Sequence, residues 1–475
     1  MSGRRGLRWE IKMKRLVFCF DGTWNRLDAD TPTNVVLTAA SIVRQVPNGG
    51  PTQIIHYDEG VGTGTLDRVS GGTMGVGLVT NIREAYRFLI FNYDPGDEIF
   101  VFGFSRGAFS ARTFCGFVRH VGPLRRLHAA RIDDALKLYE ARLKDEDGAT
   151  EKLRRFRAEY SSNVCIGADD DAWRCSNVPG YLTGQAPPMR IKYLGVWDTV
   201  GALGVPKVLP LSTLFNRKHR FHDIALTGFI ENARHAVAID EHRALFPAEP
   251  WGDLSAINEA RNYRAEDPNA PYQEQWFPGT HGSVGGGGDI RGLSDGSLAW
   301  VLQGAKRAGL KLDVEQGSRI QAVRPDPLAP LVNVRKQQFS ATTLLKTNRD
   351  GPSAPYQVSA AARRRWQAEA NNLPEQMAYR PKTLAKVAAA LDALPRRQPL
   401  ASGLVVHEVV EGDTLRVLAR YYLGSFDLED AIYEANLDQM DDPNEIFVGQ
   451  KLRIPAPLPE QPADVSTPLA AERAP

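Results

Sequence analysis

Short apolar runs recur along the chain, each followed by turn residues. Three of them cover residues 16–20, 99–102 and 191–197. Apolar runs of roughly four to eight residues that end in Gly, Asp or Ser are typical of parallel strands covered on both faces. Residues 108–114, after the second run, show helical spacing. The pattern therefore predicts strands that alternate with helices in a doubly wound α/β sheet.

Two segments interrupt this alternation. From about 125 to 160, apolar residues recur at helical spacing among many charges, which predicts an amphipathic insertion, although a solvated helical excursion explains the segment equally well. From about 206 to 232, basic residues lie beside Leu214, Phe215 and Phe221. That mixture suits an anionic membrane surface, but four charges are usually a solvated face. Residues 231–238 favour a helix. We expect a domain over 12–325 with cap insertions near 125–190 and 205–260.

The carboxyl third has a different composition. Residues 326–402 are rich in Ala, Arg, Pro and Gln, with helical spacing near 360–370 and 382–394, so they predict a helical connector that ends in a linker. Residues 403–457 then predict a strand, two helices and a returning strand, a βααβ unit small enough to hold one core. A tail rich in Pro and Ala occupies 458–475.

Ser105 lies at the centre of Gly-Phe-Ser-Arg-Gly, between the predicted strand 99–102 and the helical residues 108–114. Gly-x-Ser-x-Gly alone is a weak signal. A strand before it and a helix after it are the context of a nucleophile elbow, in which flanking glycines allow a sharp turn that exposes the serine hydroxyl.

An elbow predicts an acid and then a histidine, each just past a strand. Asp198 ends the run 191–197, and His281 follows residues 275–280 and precedes a glycine-rich loop. Alone, Asp198 favours a simple turn cap. Other histidines fit less well, because His56 and His222 lack the expected order and register, and His235 and His242 lie in or beside the predicted helix 231–238.

These three residue types supply the chemistry of acyl transfer. Serine is a weak nucleophile at neutral pH, so His281 must accept its proton, and Asp198 would hold the imidazole in the productive tautomer. The oxyanion needs preformed donors. We expect the Arg106 amide and the region of Gly22 and Thr23, which interrupts the first strand.

Five phrases in order carry a family resemblance: FCFDGTWN, YDEGVGTG, GFSRGAFSAR, YLGVWDTVGALG and WFPGTHGSVGGG. Over roughly residues 12–305 the chain resembles the α/β-hydrolase domain of the first family of phospholipase effectors of bacterial type VI secretion. The resemblance implies a triad of Ser105, Asp198 and His281 and lipase-type ester hydrolysis. Members of the family commonly have aspartate two residues after the histidine, where this chain has Ser283.

The carboxyl unit carries a second resemblance, through GDTL at 412–415, AN at 435–436 and VGQKLRIP at 448–455. Together they resemble the lysin-motif (LysM) domain, which implies binding of peptidoglycan or another N-acetylglucosamine polymer. The matching contact positions are Gly412, Asp413, Thr414, Asn436 and Leu437. A module that only docks onto secretion or tail-like machinery is the alternative.

Composition narrows the possible functional classes of the protein further. A formal net charge of +2 and the lack of a long basic run argue against nucleic-acid binding. Four cysteines without a Cys-x-x-Cys pair predict no zinc site, and we expect neither metal nor cofactor. Cys165 and Cys175 could pair in an oxidising compartment. The basic amino terminus lacks the apolar core of a signal peptide, and no run has the length of a membrane span.

The sequence thus predicts a serine esterase that hydrolyses phospholipid esters through an acyl-enzyme. We expect it to be made in the cytoplasm without a signal peptide and delivered into a target-cell periplasm. A secretion spike and an immunity protein are its expected partners, beside the membrane lipid and the wall glycan. The alternative is a non-lipolytic binding or adaptor protein on a hydrolase scaffold; an intact set of three residues favours the enzyme.

Overall fold

The computed structural model describes residues 13–22, 30–46, 50–60, 73–144, 146–201, 224–267, 269–313, 323, 325–335, 345–394, 405–409, 414–423, 428–436, 439–440, 446 and 450–455.

A six-stranded parallel sheet forms the centre of the molecule. Its strands are β1 (Lys14–Phe20), β2 (Thr52–Asp58), β3 (Glu98–Phe104), β4 (Tyr193–Trp197), β5 (Ala233–Ala238) and β6 (Tyr272–Phe277). The spatial order is β2-β1-β3-β4-β5-β6, and every neighbouring pair is parallel. The predicted α/β class is therefore confirmed. The strand order reverses beside β1, so the carboxyl ends of β1 and β3 form a switch point where such sheets place ligands.

Helices cover both faces of the sheet. Within residues 30–313 the described helices are α1 (Asn34–Ala40), α2 (Thr73–Asn92), α3 (Arg106–Val121), α4 (Ile132–Leu143), α5 (Ala149–Tyr160), α6 (Ala168–Asn177), α7 (Ser255–Glu259), α8 (His281–Gly285) and α9 (Gly292–Arg307). A 3-10 helix, Arg126–Arg131, precedes α4.

Each strand contributes to two cores because successive side chains point to opposite faces. In β1, Leu16 and Phe18 pack into the core under α2 and α3, whereas Val17 and Cys19 pack into the core under α1 and α9. All four are fully buried. This double burial explains why the strand sequences are continuous apolar runs. Each large apolar side chain buried in this way contributes about 1.5–3 kcal/mol.

The prediction of a helix over 231–238 is wrong, because Ala233–Ala238 forms the buried strand β5. The predicted second cap range, 205–260, therefore includes a strand of the sheet. Alanine favours helices in isolation, but burial between two strands overrides that weak preference. The polar residues of β5 are partnered: Arg234 donates to Gln303, and His235 pairs with Glu274.

The first insertion is helical as predicted. It comprises Arg126–Arg131, α4 and α5, with Ala135, Tyr139 and Leu153 buried against the main core. The basic stretch of the second insertion lies within 202–223, outside the described residues.

Residues 345–394 pack against the six-stranded sheet. They form α10 (Ala360–Gln367), α11 (Ala388–Asp392) and the 3-10 helices Pro355–Gln357, Ala370–Asn372 and Lys382–Val387. Their apolar side chains share a core with Val237, Ile239 and Trp276 of β5, β6 and the turn after β5. The predicted helical pieces are present, and they are joined to the sheet by a continuous core.

The carboxyl module has the predicted order of elements: β7 (Val405–Glu408), α12 (Leu415–Leu423), α13 (Glu429–Ala435) and β8 (Lys451–Ile454). The strands β7 and β8 pair antiparallel. Among the described residues, its apolar core consists of the module's own side chains, including Leu418, Ile432 and Leu452. Across the described parts of the whole chain, no helix is long and apolar enough to cross a membrane.

A substitution at Gly107 tests how closely the turn after β3 approaches β1. A Cβ at this position would lie 2.2 Å from the carbonyl oxygen of Phe20 and 2.3 Å from that of Asp21. Since both atoms are backbone, we expect Gly107→Ala to lower the free energy of unfolding by about 2 kcal/mol or more, measured by urea denaturation. Gly228→Ala is the matched control: no described atom lies within 4 Å of its added Cβ, so a change within about 0.5 kcal/mol is expected. Equal losses in the two variants would contradict the close approach.

Candidate active site

Ser105 occupies a sharp turn between β3 and α3. Its backbone has φ 59° and ψ −125°, a positive-φ conformation that costs a non-glycine residue about 1–3 kcal/mol. Two bonds to the neighbouring β4 region help to hold it: the Ser105 amide donates to the Trp197 carbonyl at 3.0 Å, and the Val200 amide donates to the Ser105 carbonyl at 3.3 Å. The turn therefore has the geometry of the predicted elbow.

Asp198 directly follows β4, the strand beside β3. Its φ of 37° is also positive, and its side chain is fully buried. The Asp198 amide donates to the Ala236 carbonyl at 2.7 Å, and the Ala238 amide donates to Asp198 Oδ1 at 2.8 Å. The neighbouring strand β5 thus fixes both the backbone and one carboxylate oxygen.

His281 begins α8, just after β6, and joins the other two predicted residues. Its Nε2 lies 2.8 Å from Ser105 Oγ, and its Nδ1 lies 2.5 Å from Asp198 Oδ2. An Nδ1 that donates to the carboxylate leaves Nε2 as the acceptor of the serine proton. The structure therefore brings together three residues separated by up to 176 positions, with the hydrogen-bond connections that a Ser-His-Asp triad requires.

Aromatic rings and a carboxylate fix the orientation of His281. The Phe104 and Phe246 rings lie with centroids 4.6 and 5.1 Å from the imidazole centroid. The His281 amide donates to Glu241 Oε2 at 3.2 Å, and Glu241 in turn accepts from Arg243. The pKa of Glu241 is lowered, since the bonds and charge of Arg243 outweigh the effect of burial.

A guanidinium from the connector reaches the Asp198 carboxylate. Arg349 Nη1 donates to Oδ1 at 2.5 Å and Nη2 donates to Oδ2 at 3.0 Å. Burial alone would raise the pKa of Asp198. The positive charge of Arg349 and the bonds from His281 and Arg349 outweigh that effect, so the pKa lies below its ordinary value. The carboxylate is therefore ionised at neutral pH although it has no contact with water.

A second histidine-carboxylate pair supports the turn after Asp198. The Thr199 amide donates to His235 Nε2 at 3.2 Å, so the other ring nitrogen carries the hydrogen and donates to Glu274 Oε2 at 2.9 Å. Glu274 also accepts from the Trp251 amide. Burial lowers the pKa of His235, against the opposing effect of Glu274. A neutral imidazole in this position can keep accepting the Thr199 amide.

The predicted oxyanion donors have different surroundings. Arg106 is the first residue of α3 and directly follows Ser105. The Gly22 amide instead donates to Asp21 Oδ1 at 2.6 Å, and Asp21 is held in place by Thr33 and Tyr57. Thr23 lies outside the described residues. Gly22 would have to exchange its acceptor in order to bind an oxyanion, so these assignments stay predictions.

The structure also places Ser283 and the two cysteines Cys165 and Cys175. The Ser283 hydroxyl donates to the Leu331 carbonyl at 2.6 Å and so ties α8 to residues 325–335. Cys165 is buried, Cys175 is exposed and neither forms a disulfide. Within the described ranges, no cluster of three or more His, Cys, Asp or Glu residues is arranged to hold a metal ion.

Of the predicted glycan contacts, Thr414 and Asn436 lie in the described residues, and Gly412, Asp413 and Leu437 lie outside them. Thr414 is exposed. Asn436 is fully buried, with its side chain bonded to the backbone of Ile432 and Arg453. The Asn436 amide therefore connects α13 to β8 and is committed to the module's own structure.

Comparison with protein families identifies both parts of the chain. Residues 14–304 match the family model of the type VI secretion (T6SS) phospholipase effector Tle1-like catalytic domain, and residues 407–455 match that of the LysM domain. The chain therefore belongs to the Tle1-like phospholipase effector family and carries a LysM domain.

Individual relatives are more distant. An uncharacterized protein of Saccharomyces cerevisiae is 26% identical over 249 residues, which cover 49% of this chain and 32% of that protein. A crystal structure of an uncharacterized protein from Pseudomonas aeruginosa is 18% identical, with a TM-score of 0.34, over 66% of this chain and 48% of that one.

The structure of the Tle1 effector bound to the VgrG spike is 17% identical, with a TM-score of 0.30, over 58% of this chain and 51% of that one. The chain thus spans about a third of the yeast relative and about half of each solved chain.

Asp240 gives a pH-dependent test of how the His281 loop is held. Its Oδ2 accepts from the Gly279 amide at 2.7 Å and from the Tyr379 hydroxyl at 2.8 Å. Burial raises the pKa of Asp240 from 3.8 to about 6. Folding then favours the protonated acid, so this contribution to stability is complete below about pH 4 and is lost as the pH rises through about 6.

We therefore expect Asp240→Asn to flatten the fall in unfolding free energy between pH 4 and 6.5. The predicted difference is roughly 1.4 kcal/mol for each unit of pKa shift. Urea denaturation of both proteins across this range measures it, and other titrating groups cancel in the comparison. Parallel curves for the two proteins would show that Asp240 does not titrate in this window.

Proposed function

We propose that this protein is a serine esterase that hydrolyses phospholipid esters. The observation that carries the proposal is the hydrogen-bonded chain from Ser105 through His281 to Asp198, at 2.8 and 2.5 Å, in a turn with elbow geometry. Membership of a phospholipase effector family supports a lipid ester as substrate. The parallel sheet, with nucleophile, acid and histidine in that order after β3, β4 and β6, supports an α/β-hydrolase fold.

The reaction would follow acyl transfer in two steps. Ser105 Oγ attacks the ester carbonyl while His281 Nε2 accepts its proton, and the resulting imidazolium donates that proton to the departing alcohol of the lipid. The acyl group is then on Ser105. His281 then deprotonates a water molecule, which attacks the acyl carbonyl of this acyl-enzyme. The fatty acid leaves, and His281 returns the proton to the serine oxygen. The Arg106 amide, which directly follows Ser105, would donate to the oxyanion.

The buried surroundings suit this proton transfer. Phe104 and Phe246 pack against the imidazole, and His281 is buried, so the proton transfer takes place in largely apolar surroundings. Asp198 is ionised and fully buried, which lets its charge stabilise the imidazolium in a medium of low dielectric constant.

The effector family supports delivery into target cells, and the LysM domain supports retention on peptidoglycan there. We propose that the producing cell loads the protein onto its secretion spike and is protected by an immunity protein. Within the target periplasm, wall binding would keep the enzyme beside the membrane lipids it hydrolyses.

Single and double substitutions test the shared mechanism. Ser105→Ala and His281→Ala should each lower kcat for phospholipid vesicles by about three orders of magnitude or more, because each removes a group that the proton transfer needs. The double variant should lose little more than either single one. Fatty-acid release from a panel of phospholipids measures all three.

His120→Ala is a control histidine substitution, since His120 lies near the far end of α3 from Ser105, and it should retain activity. Additive losses from Ser105→Ala and His281→Ala would contradict one mechanism, and full activity of Ser105→Ala would exclude the proposal.

Removal of the LysM domain separates binding from catalysis. The module has its own apolar core, so a chain that ends before residue 403 should keep nearly all hydrolysis of a soluble short-chain ester. Its sedimentation with purified peptidoglycan should be lost. Lost ester hydrolysis would place the module within the catalytic unit, and unchanged sedimentation would favour a module that docks onto a carrier protein.

A further inference from the structure

Arg349 lies beyond the part of the chain that matches the catalytic family model, which ends at residue 304. It belongs to residues 345–394, a region whose sequence predicts only a helical connector. Nevertheless, its guanidinium contacts the carboxylate of Asp198 through both terminal nitrogens. The acid beside His281 is thus held by a residue 151 positions away.

Backbone pairing brings Arg349 to this position. The Ala244 amide donates to the Leu345 carbonyl at 2.8 Å, and the Thr347 amide donates to the His242 carbonyl at 2.8 Å. Residues 345–347 therefore run along the loop that follows β5. The same loop carries Phe246, which packs against the His281 ring.

Four oxygen acceptors bind the two terminal nitrogens of the guanidinium. Besides the two oxygens of Asp198, Nη1 donates to the Ala238 carbonyl and Nη2 to the Phe246 carbonyl, both at 2.9 Å. A planar fork that binds a carboxylate through two nitrogens is geometry that arginine has and lysine lacks. Asp198 and Arg349 are both buried, so each charge offsets the desolvation cost of the other.

We propose that Arg349 is a positioning residue of the triad: its contact through two nitrogens fixes the Asp198 carboxylate in its His281-facing orientation, and its charge sets the position of the acid limb of activity. The inference rests on the proposed serine-hydrolase function. The connector is then part of the catalytic unit, which would extend to residue 394.

The sign of the pH effect follows from charge. A cation beside the Asp198–His281 pair disfavours an additional proton on that pair. Other charged or titratable groups around the pair are Glu241, its partner Arg243, and His235. They are unchanged when Arg349 is replaced. Removing the Arg349 charge should therefore let the pair keep its proton to higher pH, which moves the acid limb of activity upward.

The test compares Arg349→Met, Arg349→Lys and the wild type in the full chain. Two readouts are followed from pH 4.5 to 9: kcat and KM for a soluble short-chain ester, and the rate at which a fluorophosphonate probe labels Ser105. Labelling reports an activated serine whatever the natural substrate is.

We expect Arg349→Met to lower kcat by about 10- to 100-fold with little change in KM, because a displaced acid misorients the base. Its acid limb should move up by about one pH unit in both readouts. Arg349→Lys keeps the charge without the fork, so its limb should stay near the wild-type position while kcat falls.

Arg365→Met is the matched control. Arg365 is fully buried in the same connector, where it donates to the Ala329 carbonyl at 2.6 Å and binds Glu375, and within the described residues its hydrogen bonds do not include Ser105, Asp198 or His281. It should lower thermal stability and leave the acid limb in place.

An Arg349→Met protein with a wild-type acid limb and labelling rate would overturn the inference. If that variant does not fold, a wild-type rate for Arg349→Lys would overturn it equally. A wild type that reacts with the probe but releases no fatty acid from phospholipids would instead refute the proposed substrate and leave the role of Arg349 supported by the pH shift.

Discussion

The buried charge of Asp198 is the constraint around which the site is organised. An ionised carboxylate without water costs several kcal/mol unless donors surround it. Here the donors come from three separate parts of the chain: the Ala238 amide at the end of β5, the His281 ring at the start of α8 and the Arg349 fork from the connector. Each of these parts must be in place for the charge to be satisfied, so the geometry of the acid depends on the assembled tertiary structure.

The elbow places a second constraint on the same edge of the sheet. Ser105 holds a strained backbone, and strain persists only where surrounding contacts leave no alternative. Gly103 and Gly107 allow that closeness, since a Cβ on Gly103 would lie 2.6 Å from the Gly107 carbonyl oxygen and one on Gly107 would meet β1. Ser105 and Asp198 both have positive φ, directly follow the adjacent strands β3 and β4, and are linked through the Trp197 carbonyl. The two residues are therefore fixed by one shared piece of backbone.

Much of this arrangement could be predicted from local sequence. Apolar runs such as Leu16–Phe20 predict parallel strands, because both faces of such strands are buried. The order of Ser105, Asp198 and His281, each after a strand, predicts three residues that the structure brings into contact. β5 was mistaken for a helix because its small alanines and polar Arg234 and His235 resemble an exposed helix, and their partners Gln303 and Glu274 are distant in sequence. Arg349 had no signal at all, since it lies in a polar stretch without periodicity and its partner is 151 residues earlier.

The two carboxyl segments consequently differ in their relation to catalysis. The connector shares an apolar core with β5 and β6 and a hydrogen-bonded loop with residues 242–244, so its folding is coupled to the shape of the site. The described core of the LysM domain instead consists of the domain's own side chains. The buried Asn436 side chain likewise accepts from the backbone amide of Arg453 within the domain. Since contacts are what transmit structural change, loss of connector packing would reach Asp198 through Arg349. Sequence distance from the triad is therefore a poor guide to catalytic relevance in this chain.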